Sequence, residues 1–443
     1  MSREVIALVK HDCPVCDQVL PALDAAGVRL VSQSSPDETD AQAARLGLSR
    51  VPEIDEDLVL SDRFDPVAVP AVIVLEDGEV RDRVEGLQRD RIAALTGASL
   101  DGLPQLRPGC ASRTRDPDVA PMLAARRARA SGSIVSRELE IGDLEDPFEA
   151  LHARGLTDGL PAVPPTPERV VALLEHTSRH PQDLVGVVPP YGGRATVEKV
   201  AINAVMAGCA GPELPIVLAA VEAACREPFA LHGVVATTAP VGPVVVVSGP
   251  YAFEAGMNAE GNALGQGNRA NSTIGRALQL TVRNVGGGIP RREDRAAHGN
   301  PGKVGMAFAE RADSPWGTPD DTQVLLFAGE GPRLIVDQAS RTAEHLLASL
   351  AVGLEHVASP RERKTFDALL VIGPDHGRVF RQWSRARLQQ ELFERTGGKF
   401  VSPERILLAY AGGEAGLFSM VFGGWASGEM GSQPQTASVE PWR

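Results

Sequence analysis

Two textures of apolar and polar positions alternate along this chain. Glu4-Val5-Ile6-Ala7-Leu8-Val9-Lys10 is a short apolar run with strand character, and residues 17–26 after it carry helical patterning. Val28-Arg29-Leu30-Val31-Ser32-Gln33 predicts a second strand. Ser35-Pro36-Asp37-Glu38 predicts a helix start, with Ser at the cap, Pro in the first position and Glu three residues past the cap. Val69-Pro70 then precedes the apolar run Ala71-Val72-Ile73-Val74-Leu75. Glu76-Asp77-Gly78-Glu79 reads as a hairpin turn, residues 80–84 as the returning strand and residues 88–95 as a helix. Residues 1–100 therefore read as one α/β unit.

Residues 101–145 read as a linker, irregular around Pro108-Gly109-Cys110 and helical around residues 120–130. From residue 146 to 443 the pattern predicts a large α/β domain. It opens on a stiff Pro/Gly segment, residues 155–166, and continues with helices starting near Thr166, Thr196 and Pro215. Four apolar runs then each end in a Gly-rich turn: at Gly249-Pro250, Gly329-Glu330-Gly331-Pro332, Gly373-Pro374-Asp375-His376-Gly377 and Gly412-Gly413-Glu414-Ala415-Gly416. The second and third lead to Ser340-Arg341 and Ser384-Arg385 and then an amphipathic helix, which predicts a duplicated strand–Gly-turn–helix unit. Continuous apolar strands alternating with helices predict a sheet covered on both faces, with ligands beyond the strand ends.

Composition narrows the function. A chain of 443 residues calls for about two to four domains. The net charge of −13 argues against nucleic acid, whose phosphates need a basic face. No stretch approaches the ~20 apolar residues of a membrane span, and the N-terminus has no signal-peptide pattern. Five cysteines are too few for a disulfide scaffold and fit a reducing cytoplasm.

Cys13-Pro14-Val15-Cys16, between the first strand and the first helix, carries the sharpest chemistry. The first Cys lies at a helix N-terminus, where free N–H groups favour a thiolate, and the second is one turn on, placed to resolve a mixed disulfide. Zinc requires four ligands and no second pair accompanies these two, so neither a metal nor any cofactor beyond a redox-active disulfide is expected. The order of elements and the CxxC make this segment resemble a thioredoxin-like domain. The resemblance implies that Pro70 is the cis-proline facing the two cysteines. Asp12 departs from the family's Trp before the first Cys, which implies a dedicated partner.

In the large domain, Cys209 follows a helix end in a Gly-flanked turn and is the candidate reactive thiol. His232 and Lys303 are candidates for moving its proton. The Gly/Asn/Arg-dense stretch 256–276 suggests a backbone-amide nest, with Arg269 or Arg276 pairing an anionic group of the substrate. Its GxGxxA-like part lacks the acidic residue of a dinucleotide site, and no GxSxG elbow or Walker lysine is present. The Gly-Leu-Thr-Asp-Gly-Leu-Pro string at 155–161, the stretch Asn203-Ala204-Val205-Met206-Ala207-Gly208-Cys209 and the later Gly-rich turns resemble a bacterial family associated with the UGSC-motif (seleno)proteins, over about residues 155–435. That resemblance implies Cys209, Asn203, Arg269, Asn271 and Lys303 as pocket residues. The expectation is a thiol-dependent oxidoreductase acting on a small anionic substrate at Cys209. Cys13 and Cys16 would regenerate it, Cys110 would act as a relay and an upstream thiol as reductant; a homodimer is compatible with the large domain. The alternatives are a lyase or hydrolase of a small carboxylate using His298 and Asp294, with the CxxC unit regulatory or protective, and a redox-sensing binding protein.

Overall fold

The computed structural model describes residues 2–414, 416–426 and 431–443, so Ala415 of the fourth Gly-rich turn lies outside the described residues. The chain divides into two compact units, Met1–Arg127 and Ala128–Arg443.

The first unit runs β1 (Arg3–Val9), α1 (Pro14–Ala25), β2 (Arg29–Ser32), α2 (Pro36–Leu46), β3 (Glu53–Ile54), α3 (Val59–Phe64), β4 (Ala68–Val69) and β5 (Ala71–Glu76). It continues through β6 (Glu79–Glu85), β7 (Leu87–Gln88), α4 (Arg89–Thr96), β8 (Leu106–Arg107), β9 (Cys110–Ala111) and the start of α5 (Ala120–Ala130). Five strands form one sheet in the order β3-β2-β1-β5-β6. β1 and β2 are parallel, while β5 runs antiparallel to β1 and to β6. Ser35 and Glu38 form the capping box that opens α2. The core gathers Ile6, Leu8, Leu20, Leu23, Val72, Ile73, Leu87 and Ile92 around the sheet.

Of the segment expected to be a linker, residues 101–127 belong instead to this unit and residues 128–145 to the second. β9 pairs antiparallel with β4, and β8 with β7. Gln33 donates to Ser112 Oγ at 2.8 Å, and the Arg113 N–H donates back to Gln33 Oε1 at 3.0 Å. Leu123 on α5 packs on Leu58. The pattern of residues 101–115 is too short and polar to announce strands, since its pairings are two residues long and satisfied by partners 18 to 80 positions away.

The second unit contains α6 (Pro147–Ala153), α7 (Pro167–Leu174), β10 (Leu184–Val188), β11 (Gly193–Thr196), α8 (Val197–Ala207), α9 (Leu214–Cys225) and α10 (Leu231–Ala236). β12 (Gly242–Ser248), α11 (Tyr251–Glu254), α12 (Arg269–Asn284), β13 (Ala307–Ala309), β14 (Gln323–Gly329) and β15 (Arg333–Val336) follow. The chain ends through α13 (Ala343–Glu355), β16 (Ala368–Ile372), α14 (Pro374–Gly377), α15 (Arg385–Arg395), β17 (Ile406–Tyr410), β18 (Phe418–Gly423) and β19 (Gln435–Ser438).

Two mixed sheets, β13-β12-β14-β19 and β15-β18-β16-β17, pack against one another. Val244, Val246, Phe308 and Phe327 of the first meet Leu369, Val371, Ala409 and Phe422 of the second. The opposite faces carry helices. Val245, Val247 and Leu326 pack with α8, α9 and α12, whereas Leu370, Ile372 and Leu408 pack with α13 and α15. The expected sheet with helices on both faces is thus two sheets, each covered by helices on one side and by the other sheet on the other. Both arrangements bury alternate residues on both faces, so the apolar runs read alike. The expected duplication also differs in detail: Ser384 caps α15, but Thr342 caps α13, and Ser340 bonds Asp337 instead.

Gly109 is required where β9 crosses β4. A Cβ there would lie 2.6 Å from the Val69 carbonyl oxygen and 3.0 Å from Gly86 Cα. Gly109→Ala is expected to cost about 1–3 kcal/mol through backbone displacement, read as a lower denaturation midpoint.

Candidate functional site

Sulfur caps the first turn of α1. Cys13 is the N-cap residue, and its Sγ accepts the Cys16 N–H at 3.1 Å. The Val69 carbonyl lies 3.5 Å from the same sulfur, and the Val69–Pro70 peptide is cis. Cys110 is the direct partner of Val69 in the β4–β9 ladder, which brings a third thiol to the pair. The Cys13 thiol is lowered to about 6, first by the hydrogen bond from the Cys16 thiol and, against its own burial, by the Cys110 thiol and the Cys16 and Cys110 amides. Burial pushes Cys16 well above the usual thiol range, and the neighbouring Cys13 adds to this. Cys110 is also raised, by burial and by Cys13, while the Val15 N–H and the Lys10 ammonium oppose the shift. One sulfur is therefore anionic at neutral pH and two are protonated. Cys13 and Cys16 are both 0% exposed, whereas Cys110 is partly exposed.

The residues expected around Cys209 do not converge. Cys209 follows α8 in a turn whose Gly208 takes a left-handed φ of 94°, and it is 8% exposed. It lies on a cleft of about 350 Å³ with Arg269, Arg169, His176, Leu173 and Gly211. Of the expected partners only Arg269 lines that cleft; its Nε donates to the Gly208 carbonyl at 2.8 Å. Arg276 instead forms a two-pronged ion pair with Asp158, at 2.7 and 2.8 Å, and also donates to the Pro161 carbonyl. Asn271 is a loop tie, donating to the Asn258 and Ala263 carbonyls and accepting the Asn258 N–H. Asn203 bonds Asn284 and lines a separate, largely apolar cavity of about 350 Å³ with Ile202 and Met206. His232 is exposed on α10. Lys303 pairs with Asp294 at 2.8 Å, which also takes the carboxylate from the expected His298–Asp294 acid/base pair, and His298 is exposed. The Gly turns at 373 and 412 line yet another cleft, of about 520 Å³, beyond the parallel ends of β16 and β17. Residue type does not place side chains scattered in sequence; their separation follows from ion pairs and loop ties such as Arg276–Asp158 and Asn203–Asn284.

Three residues around Cys209 were not anticipated: Arg169 and His176, which line its cleft, and Glu213, which contacts its thiol. Glu213 is 2% exposed and accepts the Ala210 N–H at 3.0 Å and the Thr273 hydroxyl at 2.6 Å. Its carboxyl is raised, chiefly by burial, although bonds from Thr273 and Cys209 oppose this. Burial also pushes Cys209 well above the usual thiol range, with the Glu213 charge adding to it. Cys209 is therefore a protonated thiol in contact with a carboxyl group, and not a resident thiolate. The spacing of four residues between Cys209 and Glu213, across the turn that opens α9, was the available signal. Cys225 is a core thiol, pushed up to about 12 by burial.

Among the described residues no group of three or more Cys, His, Asp and Glu side chains is arranged to hold a metal ion. No described helix is long and apolar enough to cross a membrane. The sheet order, the CxxC opening α1 and the cis Val69–Pro70 peptide define a thioredoxin-like region within residues 2–127. No family model and no curated protein matches the chain. Among solved structures it is similar to StoA from Bacillus subtilis, at 15% identity over 21% of this chain and 82% of that one, with a TM-score of 0.19. It is similar also to a secreted Mycobacterium tuberculosis disulfide oxidoreductase homologous to E. coli DsbE. That likeness has 17% identity, covers 21% of this chain and 80% of that one, and has a TM-score of 0.19.

Alkylation of Cys13 in the reduced protein is expected to titrate with a midpoint at about 6. Cys110→Ala should move that midpoint upward, because a donor to the thiolate is lost. The folded-state value lies below that of an ordinary thiol. This group's contribution to stability is therefore full above that upper value and lost as pH falls through the lower one. Denaturation of the reduced protein across that window checks the sign. Arg276→Ala should cost about 3 kcal/mol by leaving the half-buried Asp158 carboxylate unpaired, measured by denaturant unfolding.

Proposed function

We propose that this chain is a thiol–disulfide oxidoreductase whose reactive sulfur is Cys13 and whose resolving thiol is Cys16. The observation that carries the reading is the asymmetry of the pair. Cys13 is held as a thiolate at about 6 on the first turn of α1, while Cys16, one turn deeper, stays protonated. A nucleophile that is charged at neutral pH and a neighbour that gives up its proton only when it attacks are what sequential disulfide exchange requires.

For the second unit the proposal is a small anionic substrate bound over Cys209. Arg269 and Arg169 each spend one donor on a main-chain carbonyl, Gly208 and Pro164, and both line the cleft with His176. Cys209 becomes nucleophilic by passing its proton to Glu213. The Cys209 thiolate attacks the S–S bond of a small anionic disulfide; one thiolate is expelled and takes the proton from Glu213, and the mixed disulfide left on Cys209 is reduced by an external thiol. The lyase or hydrolase reading has no comparable support, since the carboxylate it needs is committed to Lys303.

Two experiments test this. Reduced protein should convert oxidised glutathione to thiol, and Cys13→Ser should abolish that conversion at the CxxC; retention of the activity sinks the oxidoreductase reading. For the cleft, iodoacetate should modify Cys209 faster than neutral iodoacetamide does, relative to a free thiol control, and Arg269→Ala should remove the preference. Equal modification by the two reagents in the unsubstituted protein would rule out anion selection.

A further inference from the structure

The CxxC has no exposed sulfur. Cys13 and Cys16 are 0% exposed, and the strand that carries Cys110 lies along β4 beside them. Gly109 and Gly86 let the two backbones approach within a distance that no Cβ would permit. The Cys110 sulfur bears on both Cys13 and the Val15 N–H of the α1 first turn. It is the one member of the trio that is partly exposed. The Lys10 ammonium, which pairs with Asp12 at 3.3 Å, also acts on Cys110 and favours an anion there.

We propose that Cys110 is the entry thiol of the redox centre: it exchanges first with the disulfide of a small anionic thiol and hands the oxidising equivalent inward to Cys13 and then Cys16. This rests on the oxidoreductase reading above. The route balances in three exchanges. Cys110 gives its proton to the Cys13 thiolate and attacks one sulfur of the incoming disulfide. That S–S bond breaks, a mixed disulfide forms on Cys110, and the expelled thiolate takes the proton from Cys13. The Cys13 thiolate then attacks the Cys110 sulfur and expels the second thiolate, forming a Cys13–Cys110 disulfide. Finally Cys16 attacks Cys13, its proton passes to the departing Cys110, and a Cys13–Cys16 disulfide remains. Two thiols of the protein are oxidised and one external disulfide is reduced to two thiols. An exposed thiol next to a buried thiolate supplies what neither has alone: access at one sulfur and a base at the other.

The test uses the full-length reduced chain, unsubstituted and as Cys16→Ser, Cys110→Ser and Cys110→Ala, treated with oxidised glutathione, acid-quenched and mapped by mass spectrometry. Cys16→Ser should accumulate a Cys13–Cys110 disulfide, since the thiol that resolves it is gone. Both Cys110 variants should oxidise at least about tenfold more slowly than the unsubstituted chain, because access limits exchange. If the Cys110 variants oxidise as fast or faster, with glutathione appearing on Cys13, the entry role is overturned and β9 is only a cover. If the Cys110 variants do not fold, the Cys16→Ser map decides alone: glutathione on Cys13 with no Cys13–Cys110 disulfide overturns the proposal. Failure of the unsubstituted chain to form any disulfide among the three cysteines would instead sink the oxidoreductase reading itself.

Discussion

The first turn of α1 presents amides that no helix carbonyl can reach, and in this protein sulfur satisfies them. Cys13 takes the Cys16 N–H, and Cys110 draws on the Val15 N–H. That constraint accounts for the electronic character of the site. Amide and thiol donors hold one sulfur anionic, and the packing that positions them keeps the other two neutral. It accounts as well for the extension beyond residue 100. β8, β9 and the Gln33–Ser112–Arg113 bonds place a third cysteine at the helix start.

The second unit holds its loops in place with buried carboxylates. Glu198 accepts the Val135 and Ser136 N–H groups, Asp158 anchors Arg276, and Glu310 accepts the Tyr410 N–H. Each ties an irregular segment to a helix or strand and so replaces hydration lost on burial. Glu213 does the same for the turn after Cys209, but it also touches a thiol that lines an open cleft with two arginines.

Local chemistry was legible along the chain wherever a few adjacent residues settle it. The CxxC between strand and helix, the capping box at Ser35, the Asp77-Gly78 hairpin and the helix ends near Gly208 all follow from short-range geometry. Arg269 at the Cys209 cleft was also within reach, because an arginine opening a helix beside a Gly-flanked turn has few places to go. The assignments of Arg276, Asn271, Asn203, Lys303 and His232 to one pocket used residue type without position. Asp158, Asn258, Asn284 and Asp294 engage the first four in separate places.

By itself, then, the sequence determined the placing of two cysteines at a helix start, the α/β texture and most helix starts, since periodicity, caps and turns act over a few residues. Tertiary structure alone decided that two sheets lie back to back, that Cys110 joins the dithiol, and that Glu213 stands behind Cys209. Each of these depends on long-range pairing, burial or shape: β9 on β4, Phe308 and Phe327 against Leu369 and Phe422, and Thr273 reaching Glu213 from 60 positions away. An apolar run has the same pattern whether a helix or a sheet covers it, and a cysteine's acidity is set by neighbours that folding supplies.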